Sequence, residues 1–179
     1  MTKKYGAILA DPPWLFETYS AKGKGRSAER HYRCMSFKDI LALEIPAAED
    51  CVLFLWVTDP YLEKAMGVIN AWGFKYKTVA FTWVKTNKSD EPWTGMGFWT
   101  RANPEQCLLA TRGHPSRVRN DVAQLIIAPR REHSRKPDEI YHRIERLVAG
   151  PYLELFARQR RDGWDATGDE IDKFAGPGA

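Results

Sequence analysis

The chain has 179 residues, of which 44% are hydrophobic, so it can bury one substantial core but is too short for two ordinary domains. We therefore expect residues 1–179 to form a single domain. Its 27 lysine and arginine residues against 23 acidic residues leave a net charge of +4, which favours a polyanionic partner, although a solvated basic surface would explain this excess equally well.

The cysteines and the start of the chain predict a cytoplasmic protein. Cys34, Cys51 and Cys107 are widely spaced and odd in number, with no C-x-x-C pair, so they suggest neither a disulfide framework nor a thiolate zinc site. The first residues lack the apolar core of a signal peptide, and no apolar run approaches the roughly 20 residues of a membrane span.

In chain order, the first predicted elements are an apolar strand that ends with Ile8–Ala10 and a second strand over Cys51–Val57, "CVLFLWV". Continuous apolar runs are typical of central strands in sheets that helices cover on both faces. The next segment, "TDPYLEKAMGVINAWG", predicts a helix with Asp59 as N-cap, Pro60 as first helical residue and Gly73 as stop.

Further strands are predicted by "TVAFTWVK", "EQCLLAT" and "VAQLIIA", followed by a helix in "KPDEIYHRIERLVAG" with Pro137 in its first turn. A last strand, "YLELFA", completes an alternation that predicts a wound α/β sheet with helices on both faces. Two connections, residues 17–34 and 86–104, are predicted to be irregular, and connections this long are commonly lids or binding loops.

The tetrapeptide "DPPW", Asp11–Trp14, follows the first strand directly. Ligands in wound α/β sheets bind at the carboxyl ends of strands, and Pro12 and Pro13 have no backbone N–H, so the turn offers mainly acceptors. Two acceptors beside an indole ring suit the exocyclic amine of adenine or cytosine, with the base stacked on Trp14. The alternative is a rigid turn with a core tryptophan.

These residues resemble the MT-A70 family of adenine-N6 methyltransferases, whose signature is DPPW. The segments "VLFLWVT", "WVKTN", "EQCLLATRG", "SRKPDEIYHRIERLV" and "YLELFARQRRDGW" are similar to family segments in the same order. The resemblance implies a circularly permuted Rossmann-like methyltransferase fold with a mostly parallel sheet. It also implies S-adenosylmethionine as cofactor, with the strand that holds it late in the chain, at "YLELF". This order accounts for the absence of a glycine-rich loop after the first strand.

The resemblance also implies roles for the signature residues. Asp11 resembles the acid that accepts from the target amine and neighbours the methionine ammonium of the cofactor. The Pro12 carbonyl is the implied second acceptor, Pro13 completes the catalytic turn, and Trp14 resembles the stacking residue.

Outside the signature, Tyr32 and Glu105 resemble residues that line the acceptor nucleotide. Lys136 resembles the lysine at the cofactor rim, where it also meets the substrate. The cofactor ribose is assigned to Glu154 and Arg158, and Asp169 and Glu170 stand where the family often has an Asn-Gln pair.

The implied activity is methyl transfer to adenine N6 in nucleic acid, with DNA favoured because compact relatives of this kind resemble bacterial or phage DNA modifiers. An RNA substrate, and a catalytically inactive nucleic-acid-binding partner subunit, are the alternatives. A homodimer or a partner subunit is left open. The four histidines have no paired spacing, so no metal site is expected.

Aromatic and basic groups suggest where nucleic acid binds. Trp93, Phe98 and Trp99 could stack on bases or simply anchor their loop. Three basic groups are predicted to form a phosphate-binding rim at the carboxyl ends of the strands. They are Lys22, Lys24, Arg26, Arg30 and Arg33; Arg117 and Arg119; and Arg130, Arg131 and Arg135.

Overall fold

The computed structural model describes residues 3–14, 35–132 and 134–174. The strands are β1 (Tyr5–Ala10), β2 (Ala47–Val57), β3 (Lys75–Thr86), β4 (Glu105–Arg112), β5 (Leu125–Pro129), β6 (Tyr152–Leu155) and β7 (Trp164–Thr167). The α-helices are α1 (Phe37–Leu41), α2 (Leu62–Ala71) and α3 (Glu139–Leu147), and a 3-10 turn, Asp59–Tyr61, leads into α2. Among these residues, none of the helices has the length and apolar character needed to cross a membrane.

All seven strands form one sheet in the order β5-β3-β4-β2-β1-β6-β7. β4 runs antiparallel to both of its neighbours, and every other pair is parallel. The predicted mostly parallel wound sheet is therefore confirmed. β6 comes late in the chain but lies beside β1, with Ala10 level with Leu155, as the permuted order implies.

Helices cover both faces of the sheet and divide the core into two layers. On one face, α1 and α2 pack over Ile8, Leu53 and Leu55, and the Trp72 indole N–H donates to the Ile40 carbonyl at 2.8 Å. On the other, Ile140 and Ile144 of α3 belong to the second buried cluster. Each large apolar side chain buried in this way stabilises the fold by about 1.5–3 kcal/mol.

The predicted helices are confirmed, with shifted starts. The first helix begins with the 3-10 turn, and its N-cap is Thr58 instead of Asp59, while Gly73 ends it with a φ of 78°. α3 begins at Glu139, two residues after Pro137. Neither α1 nor β7 was predicted. The five residues of α1 are too few to show a helical period, and β7, "WDAT", has only one large apolar residue.

One part of the predicted basic rim is wrong. Arg117 and Arg119 follow β4, and because β4 is antiparallel its carboxyl end lies at the amino edge of the parallel strands, where Arg112 is paired with Cys51 near the start of β2. Arg117 also bridges Val148, which precedes β6. These two arginines therefore lie at the edge opposite Asp11. The group from Lys22 to Arg33 lies outside the described residues.

Candidate active site

The DPPW turn lies at the carboxyl edge of the sheet, next to its centre. Ala10 pairs with Leu55 on one side and Leu155 on the other, so Asp11 emerges between two neighbouring strand ends. The Trp14 backbone N–H donates to the Pro12 carbonyl at 2.8 Å, and the Met35 N–H donates to the Pro13 carbonyl at 3.1 Å. Each carbonyl oxygen has a second lone pair, so the turn is fixed and can still accept from a ligand.

The Trp14 ring belongs to the core. The residue is only 5% exposed, and its ring stacks on Tyr61 with centroids 5.8 Å apart. This placement agrees with the alternative of a rigid turn with a core tryptophan. The ring presents little surface for a base in this structure, so the stacking role stays a prediction.

A chain of ion pairs joins Asp11 to two lysines and a second acid. The Lys136 ammonium lies 2.6 Å from Asp11 Oδ2 and 3.2 Å from Glu105 Oε2, and Lys85 Nζ lies 2.6 Å from Glu105 Oε1. We call these four residues the ion-pair chain. Their opposite charges balance, which is what allows side chains this shielded from water to stay ionised.

Glu105 and Lys136, the two middle residues of the ion-pair chain, stabilise each other's charge. Burial acts to raise the pKa of Glu105, but Lys136 and Lys85 outweigh it and hold that pKa below its ordinary value. Burial acts to lower the pKa of Lys136, but Asp11 and Glu105 outweigh it and raise that pKa above its ordinary value. Lys136 is therefore a fixed cation that contacts both carboxylates.

Glu154 is a third carboxyl group at this edge, on β6. The Tyr141 hydroxyl donates to Glu154 Oε2 at 3.0 Å. Burial, together with the nearby charge of Asp11, raises the pKa of Glu154 to about 7, although Tyr141 and Lys136 act in the opposite direction. The group is therefore poised to change its protonation state near neutral pH.

A cavity of about 790 Å³ opens beside Asp11 and Pro13 and extends along the sheet face. Its wall at the carboxyl edge contains Phe156, Arg158, Asp169 and Glu170, with Arg158 Nε 3.5 Å from Glu170 Oε2. The volume is in the range of small-molecule and cofactor sites. An anionic group, a cationic group and an apolar floor are thus available within one pocket.

A sequence model of the MT-A70 family matches residues 5–170. The chain belongs to the MT-A70 family. It is also 34% identical to the Type II methyltransferase M.MunI of a Mycoplasma species, over 94% of this chain and 78% of that protein. The match confirms the predicted family and shows that the chain is a methyltransferase.

Longer MT-A70 relatives are similar over the same part of the chain. The N(6)-adenosine-methyltransferase MT-A70-like protein of Arabidopsis thaliana is 34% identical over 94% of this chain. The human N(6)-adenosine-methyltransferase catalytic subunit METTL3 is 33% identical over 94% of it. The matches cover 24% and 28% of those two proteins.

The structure brings most of the residues predicted from the MT-A70 resemblance to one edge. Asp11, Glu105 and Lys136 are joined directly, and Glu154 lies close enough for the charge of Asp11 to affect its pKa. The predicted cofactor residues Arg158, Asp169 and Glu170 line the cavity together. Tyr32 lies outside the described residues, and its role stays a prediction.

Two residues of this MT-A70 site were not predicted, Lys85 and Tyr141. Lys85 lies in the segment "WVKTN" and contacts Glu105, and Tyr141 lies on α3 and contacts Glu154. The family segment around Lys85 was the available signal. Tyr141 lies in the family segment "SRKPDEIYHRIERLV", but within that segment it looks like an ordinary buried helix residue. No group of three or more possible metal ligands occurs within residues 3–14, 35–132 and 134–174.

Proposed function

We propose that this chain transfers the methyl group of S-adenosylmethionine to the N6 amine of adenine in a nucleic acid, with DNA as the favoured substrate. The observation that carries the proposal is the Asp11 carboxylate at the end of a central strand, held by Lys136 and Glu105 beside the cavity. We also propose that residues 1–179 act as one methyltransferase domain.

Asp11 is proposed to hold the target amine. The amine of adenine is a weak nucleophile because its lone pair is delocalised into the ring, so the reaction needs the nitrogen held in line and its developing positive charge stabilised. Asp11 accepts one N–H, and the free lone pair of the Pro12 carbonyl accepts the other. Two acceptors on the amine hydrogens favour the pyramidal geometry that directs the lone pair outward.

The ion-pair chain orients Asp11 for this task. Among the described residues, the Lys136 ammonium donates to Oδ2 of Asp11, which leaves Oδ1 to accept from the amine. Glu105 also contacts the Lys136 ammonium, at 3.2 Å, so Asp11 and Glu105 share this one cation. The carboxylate is therefore already oriented and needs no rotation at the moment of reaction.

The residues around the cavity fit S-adenosylmethionine, which supplies a methyl group activated by its sulfonium charge. Asp11 would face the methionine ammonium, Glu154 and Arg158 the ribose, and Asp169 and Glu170 the outer part of the cofactor. The fit rests on the chemistry of these donors and acceptors and on the cavity volume of about 790 Å³, which Asp11, Arg158, Asp169 and Glu170 line. Glu154 lines a small adjoining cavity of about 30 Å³ that shares Asp11 and Arg158 with the larger one. Glu154 has one oxygen committed to Tyr141, and the other is available for a hydroxyl group.

Cofactor binding is expected to depend on the protonation of Glu154. A ribose diol donates hydrogen bonds, so it binds the carboxylate form, whereas burial favours the neutral form below pH about 7. Affinity is therefore expected to rise with pH through this value and to level off above it. Below it, affinity should fall by up to roughly tenfold per pH unit. Titration calorimetry in buffers of different ionisation enthalpy should detect proton release on binding.

Glu154→Gln is the matched control for this titration. It keeps the shape of the side chain but removes the titrating group, so any remaining pH dependence belongs to other groups, including those of the cofactor. Glu154→Ala should weaken binding by about 1.5–3 kcal/mol, the range for a hydrogen bond to a charged group. Equal pH profiles for the wild type and Glu154→Gln would contradict the assignment.

The preference for DNA depends on the similarity to the bacterial Type II methyltransferase. The chain spans 78% of the bacterial Type II methyltransferase but only about a quarter of the long N(6)-adenosine-methyltransferases. Incubation with labelled cofactor and separate DNA and RNA pools, followed by mass analysis of the nucleosides, tests it. Methyladenine in the DNA pool is expected. Label in the RNA pool alone would show that the substrate is RNA. Label in neither pool would favour the alternative that the chain is a catalytically inactive partner subunit.

We further propose that the protein acts in the cytoplasm, as a homodimer or with a partner subunit. Among the described residues, Cys51 and Cys107 are free and buried thiols, which agrees with a reducing compartment.

A further inference from the structure

The connection between β3 and β4, residues 87–104, presents large apolar side chains to solvent. Trp99 is 100% exposed and Met96 is 61% exposed. Single exposed apolar residues are common on protein surfaces, but a tryptophan whose whole ring is in water, beside a second large apolar residue, is typical of an interaction site.

Hydrogen bonds hold this loop in place. Asn103 accepts from the Lys85 backbone N–H and donates to the Lys85 carbonyl, both at 2.9 Å, and it also donates to the Trp93 carbonyl. The Gly95 N–H donates to the Ala102 carbonyl at 2.8 Å. These hydrogen bonds link the two halves of the loop near its base. Trp99 is therefore exposed on a segment whose backbone is held by hydrogen bonds.

The two tryptophans of the loop have different positions. The Trp93 ring stacks under the Arg130 guanidinium, which lies 3.9 Å from its centroid, and the residue is half-buried. This contact anchors the loop to the end of β5. Of the two possible roles of the loop aromatics, anchoring therefore belongs to Trp93, whereas Trp99 is 100% exposed among the described residues.

The loop lies at the edge of the sheet where the substrate must enter. β3 ends and β4 begins at the carboxyl edge, and the strand residues next to the loop, Lys85 and Glu105, are members of the ion-pair chain that holds Asp11. Arg101, two positions after Trp99, is exposed. An exposed aromatic ring with a cation beside it, next to a base-binding site, has the chemistry of single-strand nucleic-acid binding surfaces.

We infer that Trp99 is a stacking residue for the nucleic-acid substrate and takes a base of the strand that carries the target adenine. The inference rests on the proposed function in naming nucleic acid as the substrate. An adenine inside a duplex must leave the base stack to reach Asp11, and a ring that stacks on a neighbouring base holds the opened strand at the site.

The test measures binding, without methyl transfer, of the full chain to a single-stranded oligonucleotide of thymidines. Trp99→Ala should raise the dissociation constant about tenfold or more, and Trp99→Phe should keep most of the affinity. Because an indole carries no charge, the slope of affinity against salt concentration should be unchanged, unlike the effect of removing a lysine or arginine at a phosphate. Binding should also quench part of the tryptophan emission in the wild type, and Trp99→Phe should lose that part.

Tyr76→Ala is the matched control, since Tyr76 is an exposed aromatic at the start of β3, at the opposite edge of the sheet. It should leave affinity unchanged. Equal affinity of Trp99→Ala and the wild type would overturn the inference while the proposed function stands, whereas no binding by the wild type would count against the proposed function itself. A change in sedimentation with unchanged affinity would instead make this loop a protein interface, which also overturns the inference.

Discussion

Asp11→Ala is expected to abolish methyl transfer while the protein stays folded. The side chain is a partly exposed member of the site, and Lys136 keeps its second partner, Glu105, at 3.2 Å when Asp11 is lost. The amine, in contrast, loses both its acceptor and the charge that stabilises its transition state. Asp11→Asn should also be severely impaired, because the amide keeps the shape but not the charge. Turnover with labelled cofactor and the melting temperature measure the two effects.

Asp121→Ala is a suitable control for this substitution. Asp121 pairs with Arg119 at 2.6 Å and is part of the connection that follows β4, at the opposite edge of the sheet. Its loss should leave turnover unchanged, because exposed ion pairs contribute little. Turnover by Asp11→Ala close to that of the wild type would contradict the amine-holding role, whatever the melting temperature.

The position of Asp11 could be predicted because it depends on local pattern. An apolar run ends at Ala10 and is followed by two prolines, and both features are read within a few residues of sequence. The late strand β6 was predicted in the same way, and the family resemblance added that it holds the cofactor. Whether a short segment forms a strand, and where that strand ends, depends on the segment itself. Both can therefore be predicted without knowledge of the fold.

The partners of Asp11 within the ion-pair chain could not be predicted from local pattern. Asp11 and Lys136 are 125 positions apart and meet only because the segment before α3 crosses to the end of β1. The family resemblance placed both residues in the same site, but it did not predict the hydrogen bond between them. Lys85 depends on the pairing of β3 with β4, which sets its ammonium beside Glu105.

Strand direction explains the wrong placement of Arg117 and Arg119. The pattern "EQCLLAT" predicts a strand but contains nothing about whether that strand runs parallel or antiparallel to its neighbours. Reversal of β4 moves its carboxyl end, and the arginines after it, to the far edge. The burial of Trp14 has a similar origin, because its contact with Tyr61 depends on how α2 packs.

The largest effect on stability is expected for Lys136→Met. The substitution removes the cation that Asp11 and Glu105 share and leaves Lys85 on Glu105, so the site gains an uncompensated negative charge in a place shielded from water. Removing one partner of a buried ion pair costs about 3–5 kcal/mol of unfolding free energy. Methyl transfer should also be lost, because Asp11 is no longer oriented. Urea unfolding and turnover measure the two effects, and Lys88→Met, at an exposed lysine, should change stability by less than about 0.5 kcal/mol.

A loss of stability in Lys136→Met that comes from unpaired charge can be distinguished from one that comes from lost packing. The pH dependence of stability and a second substitution make this distinction. The pKa of Glu105 is held below its ordinary value in the wild type, so the stability it contributes is present above its unfolded pKa and is lost as pH falls through the folded value. In Lys136→Met, protonation relieves the unpaired carboxylate, so the stability difference from the wild type should narrow as pH falls. Glu105→Gln added to Lys136→Met should recover part of the loss, since it removes the excess charge. A deficit that stayed constant with pH and was unchanged by Glu105→Gln would mean that Lys136 stabilises the fold through its hydrocarbon stem and not through its charge.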